Sequence, residues 1–167
     1  ETTFIVESLQ RSACFQKGQV NCGHCHDVHG KGAASNLKSL RFAADSDRMC
    51  TQCHITPALK TSRHTRHAAD LEASRCVSCH MPPTIYMGVD ARHDHSMRIP
   101  RPDRTVMIGV PNACTMCHNN KPAVWARDAI KNWYPSPKPG AQDFAEAFDL
   151  ADRNAPGGEA ALLKVAS

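Results

Sequence analysis

The chain has 167 residues, a formal net charge of +4, nine Cys, ten His and only 5% aromatic residues. This is the length of one domain, too poor in Phe, Tyr and Trp to fill a large core, and no stretch approaches the roughly 18 apolar residues of a membrane span. The small positive charge is not a nucleic-acid signal, and the absence of an initial Met or apolar leader makes the chain read as a mature, exported protein whose signal has been removed.

The first feature along the chain is Cys14, a ninth cysteine that no later pattern pairs. A free buried thiol, an intermolecular disulfide and a modification site all fit it. Next comes Cys22-Gly-His-Cys25-His26, and the pattern returns as Cys50-Thr-Gln-Cys53-His54, Cys76-Val-Ser-Cys79-His80 and Cys114-Thr-Met-Cys117-His118. C-x-x-C-H is the attachment motif of c-type haem: two thiols add across the two vinyl groups of one porphyrin edge, and the adjacent His ligates the iron. Four copies predict four covalently attached haems. Cys22, Cys25, Cys50, Cys53, Cys76, Cys79, Cys114 and Cys117 are then the anchors, and His26, His54, His80 and His118 the proximal ligands. Paired C-x-x-C motifs can bind zinc, but zinc does not explain a His after every second Cys. Disulfides would leave the same four His coincidental. A thioredoxin-like site needs one C-x-x-C in a βαβ setting, which is absent.

Six His remain: His24, His29, His64, His67, His93 and His95. Four bis-His irons need four of them. His29 follows His26 by three residues, one helical turn on, and is expected to reach a haem other than the one His26 holds. His64 and His67 have the same spacing and are placed to serve two neighbouring haems. His95 lies in the long interval between the third and fourth motifs and is the natural fourth donor. His24, inside the first motif, and His93 are expected to be exposed or structural. Met competes for the sixth position and would raise the potential. With enough His available, Met49 and Met116 are expected to pack on porphyrin instead.

The motifs begin at residues 22, 50, 76 and 114, which makes an array of similar units but not a close repeat. Between them the sequence is polar and broken by proline, as at Pro82-Pro83, and no alternating run marks a strand. The fold class this predicts is a multihaem cytochrome c. It would have little regular secondary structure, short α-helices and loops wrapped around four haems, a helical C-terminal tail and no significant sheet.

After the fourth motif, Pro122 is placed as a first-turn proline, and Ala123 to Trp133 carries apolar residues at helical spacing. Trp125 and Trp133 either cover the fourth haem or pack between helices. Residues 135–140 read as a stiff Pro-rich linker, followed by helices over 142–152 and 159–165. The domain reading is a tetrahaem module over 1–134, the linker over 135–140 and a helical tail over 141–167. That tail holds neither Cys nor His.

Several stretches resemble the tetrahaem module of bacterial and archaeal multihaem c-type cytochromes, which are often fused to TPR- or HEAT-type helical repeats. They are Cys22 through His29, the His64-Thr-Arg-His67 pair, and Cys79-His80-Met81-Pro82. Asp94-His95-Ser96 with Ile99 to Asp103, and Pro111 through Trp125, complete them. The resemblance covers residues 8 to 134 and implies His29, His64, His67 and His95 as distal ligands. It implies nothing for His24 or His93. The tail from Phe144 to Val165 looks like the opening of a helical repeat that then stops. Modules of this kind also resemble tetrahaem cytochromes that polymerise into extracellular conductive filaments, in which a neighbouring subunit can donate a distal His.

An electron carrier is therefore expected rather than an enzyme. Bis-His ligation fills both axial positions, and no C-x-x-C-K variant of the pentahaem nitrite reductase kind is present. A multihaem nitrite or hydroxylamine oxidoreductase is the competing class. Within the carrier class, a subunit of an extracellular or cell-surface filament competes with a monomeric periplasmic shuttle. The partners expected are redox proteins or extracellular electron acceptors, together with further copies of the chain. Eight propionates would carry the net charge from +4 to about −4 with ferrous irons and near zero when oxidised. That is a near-neutral surface, which favours association.

Overall fold

A computed structural model describes residues 5–27, 29, 39–43, 47–60, 62–136 and 144–166. The chain divides into two compact units, residues 1–97 and 98–167. Three Cys-x-x-Cys-His motifs fall in the first unit, and the fourth lies with the C-terminal helices in the second.

The first unit opens with α1 (Ile5–Gln10) and α2 (Ala13–Gly18). Ser12 starts α2 by accepting a hydrogen bond from the Phe15 N–H at 3.1 Å, which satisfies one of the amides a helix start leaves without a partner. Gln19, at φ 53°, turns the chain off the helix. The first motif forms a 3₁₀ turn (Cys22–His24). Then come α3 (Arg48–Thr51), a 3₁₀ turn (Pro57–Lys60), α4 (Ser62–Thr65), a second such turn (Glu72–Ser74) and α5 (Cys76–His80). These pieces are short, as expected, because polar and proline-bearing segments interrupt them.

A hairpin departs from that expectation. Strands β1 (Pro83–Tyr86) and β2 (Asp90–His93) pair antiparallel, with Pro83 opposite His93 and Tyr86 opposite Asp90. The turn places Met87 at φ 50° and Gly88 at φ 78°, both left-handed, the conformation that suits strand twist. Glycine adopts it readily; Met87 is an unusual occupant and hides the turn from a search for Asn-Gly or Asp-Gly. The guanidinium of Arg92 lies 4.0 Å from the centre of the Tyr86 ring and bonds Asp90 at 2.7 Å, so one face of this polar ribbon is cross-linked.

The second unit begins at α6 (Pro102–Ile108), with Pro102 buried at its first position and Gly109, at φ 74°, ending it. It continues with α7 (Ala113–Cys117), α8 (Ala123–Trp133), α9 (Ala145–Asp152) and α10 (Gly158–Ala166). The helix expected from Ala123 to Trp133 has those bounds, although Pro122 caps it from outside. The α9 and α10 helices overlap the expected 142–152 and 159–165. Linker residues 137–140 and the expected helix start at 142–143 lie outside the described residues. Helix α8 packs on α6 through Ala126, which is 1% exposed, and α9 reaches α6 through an ion pair between Glu146 and buried Arg104. At Gly158 the chain passes so close to α9 that a Cβ would lie 3.1 Å from the backbone of Leu150 and Ala151.

Leu9, Ala126 and Ala147 are the buried hydrophobic residues among those described, while Ile55 is 77% exposed. At about 25 cal/mol per Å² of buried apolar surface, three small or medium side chains supply too little to order a chain of this length. Among the described residues no helix is long and apolar enough to cross a membrane.

Candidate haem sites

Each motif folds as a single helical turn, which explains its chemistry. The His26 N–H donates to the Cys22 carbonyl at 2.8 Å, His54 to Cys50 at 2.9 Å and His118 to Cys114 at 2.9 Å; the third motif is α5 itself. One turn brings the two cysteines, three residues apart, to the same side of the backbone, with the imidazole following directly. Polar caps start two of these turns. The Asn21 side chain accepts from the Gly23 N–H at 3.0 Å, and the Asn112 side chain accepts from Thr115 N–H at 3.1 Å. In the first motif His24 closes a capping box, its Nδ1 accepting from the Asn21 N–H at 3.1 Å. His24 is exposed, as expected, and has a local structural task in this cap.

Two pairs of imidazoles lie close together with nearly parallel planes in the first unit. The ring centres of His26 and His95 are 6.2 Å apart with planes inclined by 19°, and those of His64 and His80 are 6.2 Å apart and inclined by 8°. Two imidazoles bound to opposite sides of one metal ion, each through a bond of about 2 Å, have ring centres about 6 Å apart. Each pair joins the His of one motif to a His distant in sequence. The donor set and the spacing fit an iron between each pair.

Hydrogen bonds hold the distal candidates in the ligating tautomer. The Nδ1 of His95 lies 2.8 Å from the His93 carbonyl, and the Nδ1 of His67 lies 2.6 Å from the Thr65 carbonyl. A carbonyl only accepts, so the proton sits on Nδ1 and the Nε2 lone pair is left for a metal. Asp94 fixes the turn at His95 by accepting from the Ser96 N–H at 2.9 Å. Burial holds His64 below the ordinary histidine value, with His80 adding to the effect. Burial does the same for His95, opposed in part by its bond to the His93 carbonyl. Both shifts favour the neutral imidazole, the form a metal ligand takes.

His93 shares the tautomer, its Nδ1 lying 2.6 Å from the Met81 carbonyl, and this bond ties β2 back to the end of the third motif. Two spacing arguments are corrected. Helix α4 ends at Thr65 and Arg66 takes φ 59°, so His64 and His67 do not share a helix face. After the first motif the chain leaves the helical turn at His26, which bridges to Leu40, so exposed His29 is not one helical turn beyond it. Among the described residues, exposed His29 is not brought to a motif histidine in the way that His95 and His64 are. In the second unit Trp125 lies against His118, ring centres 4.9 Å apart, and so sits at the fourth motif. Sequence spacing raised Trp125 as a candidate; the contact places it.

Burial raises the thiols of Cys14, Cys25 and Cys114. Cys50 and Cys76 share a side-chain hydrogen bond that lowers Cys50 and raises Cys76. Half-buried Cys14, on α2, is a free thiol near those of Cys50 and Cys53. Among the described residues no group of three or more His, Cys, Asp or Glu side chains gathers around one metal position.

Residues 13–58, which contain the first two motifs, match the family of the doubled CXXCH motif. No curated protein matches the chain, and no solved structure does. Covalently attached haem c is what such motifs hold, and the match supports a multihaem c-type cytochrome module, a class whose work is electron transfer.

Proposed function

We propose that the chain is an electron carrier holding four haems c, each capped on both sides by histidine. The observation that carries this reading is the 6.2 Å spacing in both the His26–His95 and His64–His80 pairs. His95 is then the distal ligand opposite His26, and His64 the distal ligand opposite His80. His54 and His118 remain as proximal ligands of the second and fourth motifs, with His29 and His67 as their distal donors, from the same chain or a neighbouring copy. Cys22, Cys25, Cys50, Cys53, Cys76, Cys79, Cys114 and Cys117 supply the thioether anchors.

When bound, the haems supply a one-electron ferric/ferrous couple, which the protein spaces and tunes. The chain's own part would be to hold each iron between two histidines, which would keep substrate from it and argues against an oxidoreductase. Carbonyl bonds to Nδ1 of His67 and His95 fix ring orientation and ligand basicity. Resemblance to filament-forming cytochromes and a near-neutral surface support assembly of copies into an extracellular wire, over a periplasmic shuttle.

Two measurements test the proposal. The alkaline pyridine haemochrome, set against protein concentration, should give four haems per chain, and a count of two would refute the tetrahaem reading. Negative-stain microscopy of the holoprotein should show filaments, and dispersed single particles would overturn assembly.

A further inference from the structure

Besides the bond between the Cys50 and Cys76 thiols, two side-chain bonds reach from the second motif toward its neighbours, made by Asp47 and Gln52, which are neither anchors nor ligands. The first starts at Asp47, whose main-chain carbonyl begins the second motif by accepting from the Cys50 and Thr51 N–H groups, each at 2.9 Å. Its carboxylate Oδ1 meanwhile accepts from the Cys76 N–H at 3.0 Å. Cys76 is the first residue of α5, and Arg75 before it makes no side-chain cap. An amide that a helix start leaves without an internal partner is thus capped by a carboxylate 29 residues away in sequence, where negative charge also suits the helix dipole. The second bond starts at Gln52, a variable position inside the motif. Its Nε2 donates to the His24 carbonyl of the first motif at 3.2 Å and to the Met49 carbonyl at 2.8 Å. His24 is likewise a variable position of its motif. Backbone and side chains of one short turn thus clamp the first motif on one side and the third on the other.

We propose that Asp47 and Gln52 are positioning residues that set the spacing of the second haem site from the third and from the first. The reading rests on the haem attachment proposed above. Thioether anchors fix a porphyrin to its motif, so the distance between motifs governs the distance between the groups they carry. A bond to the first residue of a neighbouring motif acts on that distance directly. Local cohesion of each motif needs neither contact, because every motif already has its own main-chain turn.

The test uses the fully matured holoprotein and the variants Asp47→Ala, Asp47→Asn and Gln52→Ala. Haem content is counted first: a wild-type chain without haem would refute the attachment itself, separately from this proposal. Circular dichroism in the Soret region then reads exciton coupling between neighbouring haems, and a potentiometric titration reads their interaction. Asp47→Ala, at full haem content and low spin, should alter the Soret couplet and shift the titration. Asp47→Asn should keep the wild-type couplet, because its amide oxygen still accepts from Cys76 N–H. A wild-type couplet and titration in Asp47→Ala would overturn the proposal. So would an Asn variant as altered as the Ala variant, since charge and not the bond would then be responsible. Should Asp47→Ala fail to mature, Gln52→Ala decides by the same reading: an altered couplet at full haem content supports the clamp, and an unchanged one overturns it.

Discussion

At the scale of single residues, the contrast between His95 and His93 is the most instructive. Both place Nδ1 against a carbonyl and free Nε2, yet only His95 is shown facing a motif histidine. The tautomer alone therefore does not distinguish the two residues; the opposing ring does. Replacing His95 by Ala should open one iron per chain, so that the dithionite-reduced protein binds about one equivalent of carbon monoxide, read from the difference spectrum. His93→Ala should bind none, like the wild type. Carbon monoxide binding in the His93 variant, or its absence in the His95 variant, would contradict the pairing. His64 and His95 could be named as candidates from the sequence, by the count and by the Asp-His-Ser turn. The motif histidine each one meets could not, because partners so distant in sequence meet only through tertiary folding. Counting by threes failed at His29 and His67 because the backbone leaves the helix at His26 and at Arg66.

Elements show the same division between what is local and what is not. Helix α8 could be read from its proline cap and apolar spacing, and the motif turns from the chemistry that requires them. The β1–β2 hairpin could not, since Met87 occupies a left-handed position that usually announces itself with Gly or Asn. The α9–α10 corner depends on Gly158, where an added methyl would press on backbone that cannot rotate away. Gly158→Ala should cost about 1–3 kcal/mol, seen as a lowered midpoint in thermal unfolding of the second unit. At the start of α6, the Arg101 guanidinium grips the Asp103 carboxylate in a fork of 2.7–3.1 Å and holds it below its ordinary value. A carboxyl lowered by folding stabilises above its unfolded value and loses that contribution as pH falls through the lowered one. Acid unfolding followed between about pH 5 and 2 should therefore shift to higher pH in Asp103→Asn, by less than about 1 kcal/mol because the pair is partly exposed.

For the molecule as a whole, composition had already said that side chains would not make the core, and the structure agrees: Leu9, Ala126 and Ala147 are scant apolar burial among the described residues. On the proposed reading, porphyrins would supply the missing apolar body, and the residues that would hold them are spread along the chain from Cys22 to His118. Folding and haem attachment should then be one event, with the second motif as the piece that its neighbours are built against. The central claim is that these irons are capped on both sides by the protein's own histidines. Electron paramagnetic resonance of the fully oxidised protein tests it most directly. Low-spin ferric signals integrating to four per chain, with no high-spin component near g = 6, are the result expected, and a stoichiometric high-spin signal in the native protein would contradict it.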